Sequence, residues 1–185
     1  MQVLFELSIL LAQLLLLASL LIFIFHRTAR RISAYTDVPF VATSKALLPK
    51  IADALDIRPT DIVYDLGCGD GRFMFYAAKR FPETHFIGIE RNYLLVSYVI
   101  VKKFLLGIRN ISVRRQNLFD ADFHDATKIY IYMLPQFMQK LAPQFPHARV
   151  ASRAFKISGK EHASVVTLLD YPGIWNEDKL YVYEL

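Results

Sequence analysis

Apolar positions follow three different rhythms along the chain. Residues 3–25 are apolar at 19 of 23 positions, interrupted only by Glu6, Ser8, Gln13 and Ser19, and show no polar face. Residues 7–25 carry no charge over 19 positions. That is about what a helix rising ~1.5 Å per residue needs to cross a ~30 Å hydrocarbon layer. Residues 44–55 place Leu47, Leu48, Ile51 and Leu55 on one helical face, with Thr43 or Ser44 as N-cap and Pro49 as a possible bend. From residue 62 short apolar runs alternate with helical patterns. Strands are predicted at 62–66, 85–90, 111–116 and 129–133, and helices at 72–81, 93–106 and 136–145. Three closing strands are predicted at 149–157, 164–169 and 179–184.

Strands alternating with helices imply an α/β, Rossmann-like parallel sheet covered on both faces, and the strand-only ending implies an antiparallel edge. Ligands then belong at the carboxyl ends of the strands, near the first strand, where the winding reverses. The domain reading is a transmembrane anchor at 3–25, a connector at 26–43 and a catalytic domain at 44–185. Helix 93–106 is apolar nearly all round except Ser97, Lys102 and Lys103, which predicts a buried helix, with contact to lipid as the alternative.

Composition refines this picture. The chain has 185 residues, 54% of them hydrophobic, and a mean hydropathy of +0.28, with the excess concentrated in the leader. Fourteen Phe and ten Tyr exclude disorder, and one cysteine, Cys68, excludes a disulfide scaffold. A cleaved signal peptide would begin with basic residues and have a shorter core, so the leader reads as an anchor. Arg27, Arg30 and Arg31 follow it, which orients the domain to the cytoplasmic side. The absence of an Arg-rich amphipathic presequence favours a bacterial inner membrane, with the mitochondrial inner membrane as the alternative. The net charge of +5 suits anionic lipid beside the anchor. No basic run exceeds three residues, and no nucleic-acid partner is expected.

The informative stretch is Asp65-Leu66-Gly67-Cys68-Gly69-Asp70-Gly71-Arg72, followed 19 residues after Gly71 by Glu90. Glycines at a strand-to-helix turn let a ligand approach the backbone, and the next helix offers free N–H groups. An acid ending the second strand can accept from both ribose hydroxyls. Dinucleotide sites share these features, but their third glycine falls one residue later. Asp65 would also repel a pyrophosphate. A phosphate-free ligand with an ammonium group fits better, which favours S-adenosylmethionine over NAD. Its ammonium would lie near Asp65, its carboxylate on the loop N–H groups and its ribose on Glu90. Asn117 can read the adenine amine, with Leu118 or Phe119 packed on the ring. Cys68 reads as a small residue tolerated beside the ligand. His124 sits in a solvated loop, and no second histidine has metal-ligand spacing.

The pattern resembles the seven-strand (class I) S-adenosylmethionine-dependent methyltransferases over about residues 39–185. A closer resemblance is to the small membrane-anchored lysine methyltransferases of the ATP synthase c-subunit and adenine nucleotide translocase type, with their prokaryotic relatives. It rests on Pro39-Phe40-Val41-Ala42-Thr43, the glycine stretch, and Tyr132-Met133-Leu134-Pro135-Gln136. The resemblance implies a protein-lysine N-methyltransferase acting on a membrane-associated protein, with Pro39, Phe40, Met133 and Pro135 along the substrate channel. Asn117 stands where many members carry Asp. The chain has no Asn-Pro-Pro-Tyr motif after the fourth strand, which argues against methylation of DNA bases.

A lysine nucleophile must first lose its proton, which costs about 4.6 kcal/mol at pH 7. An aromatic, apolar mouth favours the neutral amine. Tyr35, Phe40, Tyr130 and Tyr132 are candidates for that mouth, and their rings could attract a methylammonium product. Tyr132, nearer the carboxyl end of its strand, is the candidate catalytic residue, whereas Tyr130 can equally be core packing. Two rival readings stand beside this one: a methyltransferase of a lipid head group or small molecule, and a membrane-tethered module that binds the cofactor without turnover.

Overall fold

The protein is described by a computed structural model covering residues 1–33, 41–169 and 179–185. It falls into two units, Met1–Phe40 and Val41–Leu185. The first holds one helix, α1 (Gln2–Ser33), in which Leu4–Ile24 is long and apolar enough to cross a membrane and buries none of its surface within the protein. The candidate mouth residues Tyr35, Pro39 and Phe40 lie outside the described residues.

The second unit is built around seven strands in the order β3-β2-β1-β4-β5-β7-β6. They are β1 (Ile62–Leu66), β2 (His85–Glu90), β3 (Ile111–Arg115), β4 (Lys128–Ile131), β5 (Arg149–Arg153), β6 (Ser164–Thr167) and β7 (Lys179–Glu184). Strands β1 to β5 pair in parallel, and β7 runs antiparallel between β5 and β6. The chain winds outward from β1 through β2 to β3, then returns to lay β4 on the other side of β1. The reversal therefore lies between β1 and β4, where Asp65 is in register with Tyr130 on one side and Gly88 on the other.

Alternation along the strands divides the core in two. Val63, Phe86, Ile111, Tyr130 and Ala151 face α2 (Leu48–Leu55) and α3 (Arg72–Arg80). Leu66, Ile89, Ile131 and Val150 face α5 (Pro135–Leu141). Pro49 does not bend a longer helix. It occupies the first turn of α2, where its missing N–H has no intrahelical partner to lose, behind a short 3-10 turn at Lys45–Leu47. Helix α4 (Tyr93–Leu105) is N-capped by Asn92, whose side-chain oxygen accepts from Leu94 N at 2.9 Å and Leu95 N at 3.4 Å. The expectation that this helix is buried is corrected. Only Leu95, Val96 and Val99 are buried, because β2 and β3 cover a single face of it.

Four strands end before their sequence patterns do, β5 at Arg153 and β6 at Thr167 among them. β3 ends at Arg115, and Asn117 caps a 3-10 turn at Leu118–Asp120. β4 ends at Ile131, so Tyr132 and Met133 lie just past its carboxyl end. The α3-to-β2 connection depends on Asn110, whose side-chain amide donates to the carbonyls of Ala78, Phe81 and Thr84 at 3.2, 3.1 and 3.0 Å. Replacement by alanine leaves these half-buried carbonyls without that donor. Asn110→Ala is expected to lower stability by about 2 kcal/mol, read as a lower urea midpoint with an unchanged slope.

Candidate active site

The carboxyl ends of β1, β2, β4 and β5 meet around the β1–α3 turn. Asp65 is buried near the end of β1, and among the described residues neither a hydrogen bond nor an ion pair reaches its carboxylate. Its pKa is pushed well above the usual carboxylate range, first by burial and then by the neighbouring Asp70 and Glu90 charges. Asp70 is itself neutralised by Arg72, with Nε donating to Oδ1 at 2.9 Å. Asp65 is therefore an acid whose surroundings favour the arrival of a cation.

Gly67, Gly69 and Gly71 all adopt positive φ. At Gly71, the N-cap of α3, a Cβ would also lie 3.0 Å from Val99 Cγ2 and 3.2 Å from the Phe75 ring. Cys68 points into the core. Its sulfur lies only 2.6 Å from where a Cβ on Gly88 would stand, and burial raises its thiol pKa well above normal. It acts as a small buried filler, inert as a nucleophile.

The loop amides differ from the expected anion cradle. Gly67 N and Cys68 N both donate to Ile89 O, at 3.0 and 3.1 Å, and Gly71 N donates to Cys68 O at 2.9 Å. Gly69 N donates to Glu90 Oε2 at 3.0 Å, while Glu90 Oε1 accepts from Asn92 N at 2.8 Å. Glu90 thus clamps the loop against β2, and each of its oxygens keeps one lone pair for a hydroxyl donor. The four amides are already engaged within the protein, so they hold the loop's shape and do not stand open to a ligand carboxylate.

Among the other candidates, Leu118 is buried, and Met133 packs against the loop with Cε 3.2 Å from a Cβ position on Gly67. Asn117 is exposed; its amide donates to Asp120 Oδ2 at 3.0 Å and its oxygen accepts from Phe119 N at 3.4 Å. Pro135 is exposed at the start of α5. Tyr130 is buried 4.7 Å from the Phe73 ring, its hydroxyl 2.9 Å from Thr43 Oγ1, and burial pushes its pKa up to about 12. It is a structural tyrosine. Tyr132 is half-buried, with the Arg153 guanidinium 4.4 Å from its ring centre. His124 pairs with Asp122 in an exposed loop.

Three residues of this region escape sequence reasoning. Thr43, which is not a helix cap, accepts from Arg72 Nη1 at its carbonyl (2.7 Å) and from Arg153 Nη1 at its hydroxyl (3.3 Å). The segment preceding the first domain helix is thereby pinned across the ends of β1, β4 and β5. The position of Thr43, immediately after Pro39-Phe40-Val41-Ala42, was the one available signal.

A buried acid needing a cation, a loop of positive φ and a second acid at the next strand's end fit S-adenosylmethionine, which has an ammonium group and no phosphate. Residues 65–164 match the family described as the ANTKMT methyltransferase domain. Over 139 residues the chain is 30% identical to a protein-lysine N-methyltransferase of Saccharolobus islandicus (strain REY15A), spanning 72% of this chain and 86% of the relative. A crystal structure of an RNA methyltransferase from Salinibacter ruber, in complex with S-adenosyl-L-homocysteine, is 30% identical and superposes with a TM-score of 0.68 over 77% of this chain and 92% of that one. A dimethyladenosine transferase from Plasmodium falciparum, 21% identical with a TM-score of 0.52 over 62% of this chain and 43% of that one, shares the fold alone.

Fold and relatives together define a class I S-adenosylmethionine-dependent methyltransferase. The chain belongs to the ANTKMT methyltransferase family.

Asp65→Asn separates fold from ligand. Because the folded pKa of Asp65 is raised, the unfolded state ionises first, and the wild-type carboxylate costs stability increasingly as pH rises above about 4. Ligand-free Asp65→Asn is therefore expected to melt above wild type at neutral pH, with the gap closing toward pH 4. Its thermal shift on adding S-adenosylhomocysteine is expected to shrink or vanish, since the ammonium loses its counter-charge.

Proposed function

We propose that this enzyme methylates lysine side chains of a protein held at the membrane that carries α1, with Asp65, Gly67, Cys68, Gly69, Gly71, Glu90, Asn117 and Leu118 forming the cofactor site. The observation that carries the lysine reading is Tyr132 beside Arg153 at the carboxyl end of β4. A guanidinium 4.4 Å from the ring disfavours a second cation nearby, so an entering lysine is driven toward its neutral, nucleophilic form. The same charge opposes retention of a methylammonium product on that ring face. Asp65 fixes the ammonium end of the cofactor and Glu90 its ribose. S-adenosylmethionine supplies a methyl group already activated by the sulfonium, so the chain's remaining work is alignment and exclusion of water. Met133 and Pro135, with Pro39 and Phe40, are assigned to the substrate channel.

The protein-lysine N-methyltransferase relative supports the substrate class. The membrane setting is supported by the apolar Leu4–Ile24 segment, and the cytoplasmic face of a bacterial inner membrane by the Arg27, Arg30 and Arg31 flank. Pro39 stands only 14 positions after Phe25, and a short tether raises the effective concentration of substrates sharing the surface.

Membranes incubated with methyl-labelled S-adenosylmethionine and the enzyme are expected to yield label in methyl-lysine after protein hydrolysis. Label confined to lipid, small molecules or RNA overturns the substrate reading. Tyr132→Ala is expected to lower kcat/KM about tenfold through the lost aromatic wall, with S-adenosylhomocysteine affinity unchanged. Resistance of the chain to carbonate extraction checks the anchor; release by carbonate rejects it.

A further inference from the structure

The exposed side of α4 is unusual for a domain surface. Tyr93, Ile100, Val101, Phe104 and Leu105 recur at helical spacing along it, with Phe104 84% and Leu105 62% exposed. Leu106 extends the same apolar surface past the helix end. Beside it lies an open hollow of about 700 Å³ whose walls include Ile100, Phe104, Ile108 and Val113, with Lys103 and Arg109 among the lining residues. At the other end of the stripe, the Arg115 guanidinium stands 5.6 Å from the Tyr93 ring centre.

Charge is concentrated on the same segment. Residues 91–116 contain six Lys or Arg and no Asp or Glu. The rest of Val41–Leu185 carries 13 Lys or Arg against 15 Asp or Glu, so the positive excess of this unit resides in the segment that frames the apolar stripe.

We propose that the Ile100, Val101, Phe104 and Leu105 face of α4, with the adjoining hollow, is a docking surface for an anionic lipid bilayer. An apolar helix face bordered by cations suits the head-group boundary, where acyl chains receive the aliphatic side chains and anionic head groups receive the cations. Two alternatives fit the charge pattern less well. Apposing two copies of this face would bring Lys103, Arg109 and Arg115 of one copy close to the same cations of the other. A nucleic acid would satisfy the cations but leave Ile100, Val101, Leu105 and Leu106 against phosphate and water, since aliphatic side chains make no hydrogen bonds. The proposal concerns the catalytic domain's own surface and goes beyond the anchor reading, which concerns α1 alone.

The test uses the full chain reconstituted in vesicles, with a nitroxide label at Phe104→Cys and a control label at Glu161→Cys. Glu161 lies on the exposed β5–β6 connection, at the opposite edge of the sheet from β3. Cys68 is buried with a raised thiol pKa and is expected to take up little label, which unlabelled-site wild type checks. In vesicles of mixed phosphatidylglycerol and phosphatidylcholine, the label at position 104 is expected to become accessible to oxygen and shielded from a water-soluble nickel complex, while position 161 stays water-accessible. Arg109→Glu is expected to reduce the shielded population at least about fivefold, the equivalent of one interfacial cation.

A label at position 104 that stays open to nickel on these vesicles overturns the proposal. So does spin–spin broadening at that position, which would identify a second copy as the occupant, or immobilisation by added RNA without any effect of vesicles. Carbonate extraction of the same samples reads α1 separately. Release by carbonate together with shielding at position 104 would reject the anchor and keep the α4 surface; retention with an exposed position 104 would do the reverse.

Discussion

Burying a carboxylate disfavours its charge, and Asp65 is buried at the point where the sheet reverses its winding, with no ion pair among the described residues. Asp70 does not relieve it, because Asp70 is held by Arg72, and Glu90 adds a further negative charge nearby. The loop is built around this buried acid. Gly67, Gly69 and Gly71 turn the chain away from it, and Glu90 ties the turn to β2 through Gly69 N. A ligand carrying an ammonium group supplies the missing charge, whereas a pyrophosphate would add to the repulsion. In the proposed function, cofactor choice follows from this buried acid.

Two arginines tie the neighbouring region together. Arg72 and Arg153 both converge on Thr43, one at its carbonyl and the other at its hydroxyl, and Arg153 also lies over Tyr132. Asp65 on β1 and Arg153 on β5 flank β4, beside which the sheet reverses its winding. In the proposed function, Asp65 receives the ammonium of the cofactor and Arg153 disfavours a protonated amine beside Tyr132. The parallel register of β1, β4 and β5 is what brings these residues within a few strands of one another.

α4 shows how an apolar helix can be misread. Its sequence has almost no polar face, which ordinarily signals burial on all sides. β2 and β3 cover one side only, burying Leu95, Val96 and Val99, and leave Phe104 and Leu105 in the open. An apolar surface kept outside a folded domain calls for a partner, and the cations around it set the sign of that partner's charge.

Much of the architecture was legible in the residues. β1, β2 and β7 span the residues their patterns indicate, and the strand-only ending announced the antiparallel edge. The geometry of the acid-and-glycine corner was readable because it is local: a few consecutive residues make the turn, and Glu90 follows at the end of the next strand. The shortened β3 and β4 were less readable, since ladder partners and not intrinsic preference decide where a strand stops. Thr43, Arg72 and Arg153 meet across 110 residues of sequence, and no spacing rule reports such a meeting. The sequence alone determined the acid and the glycine turn beside it, because adjacent residues carry that geometry. Only the tertiary structure decided which amides are already engaged, that Tyr130 is core while Tyr132 lies beside Arg153, and which side of α4 is left uncovered, because each depends on what the folded chain brings alongside from far away.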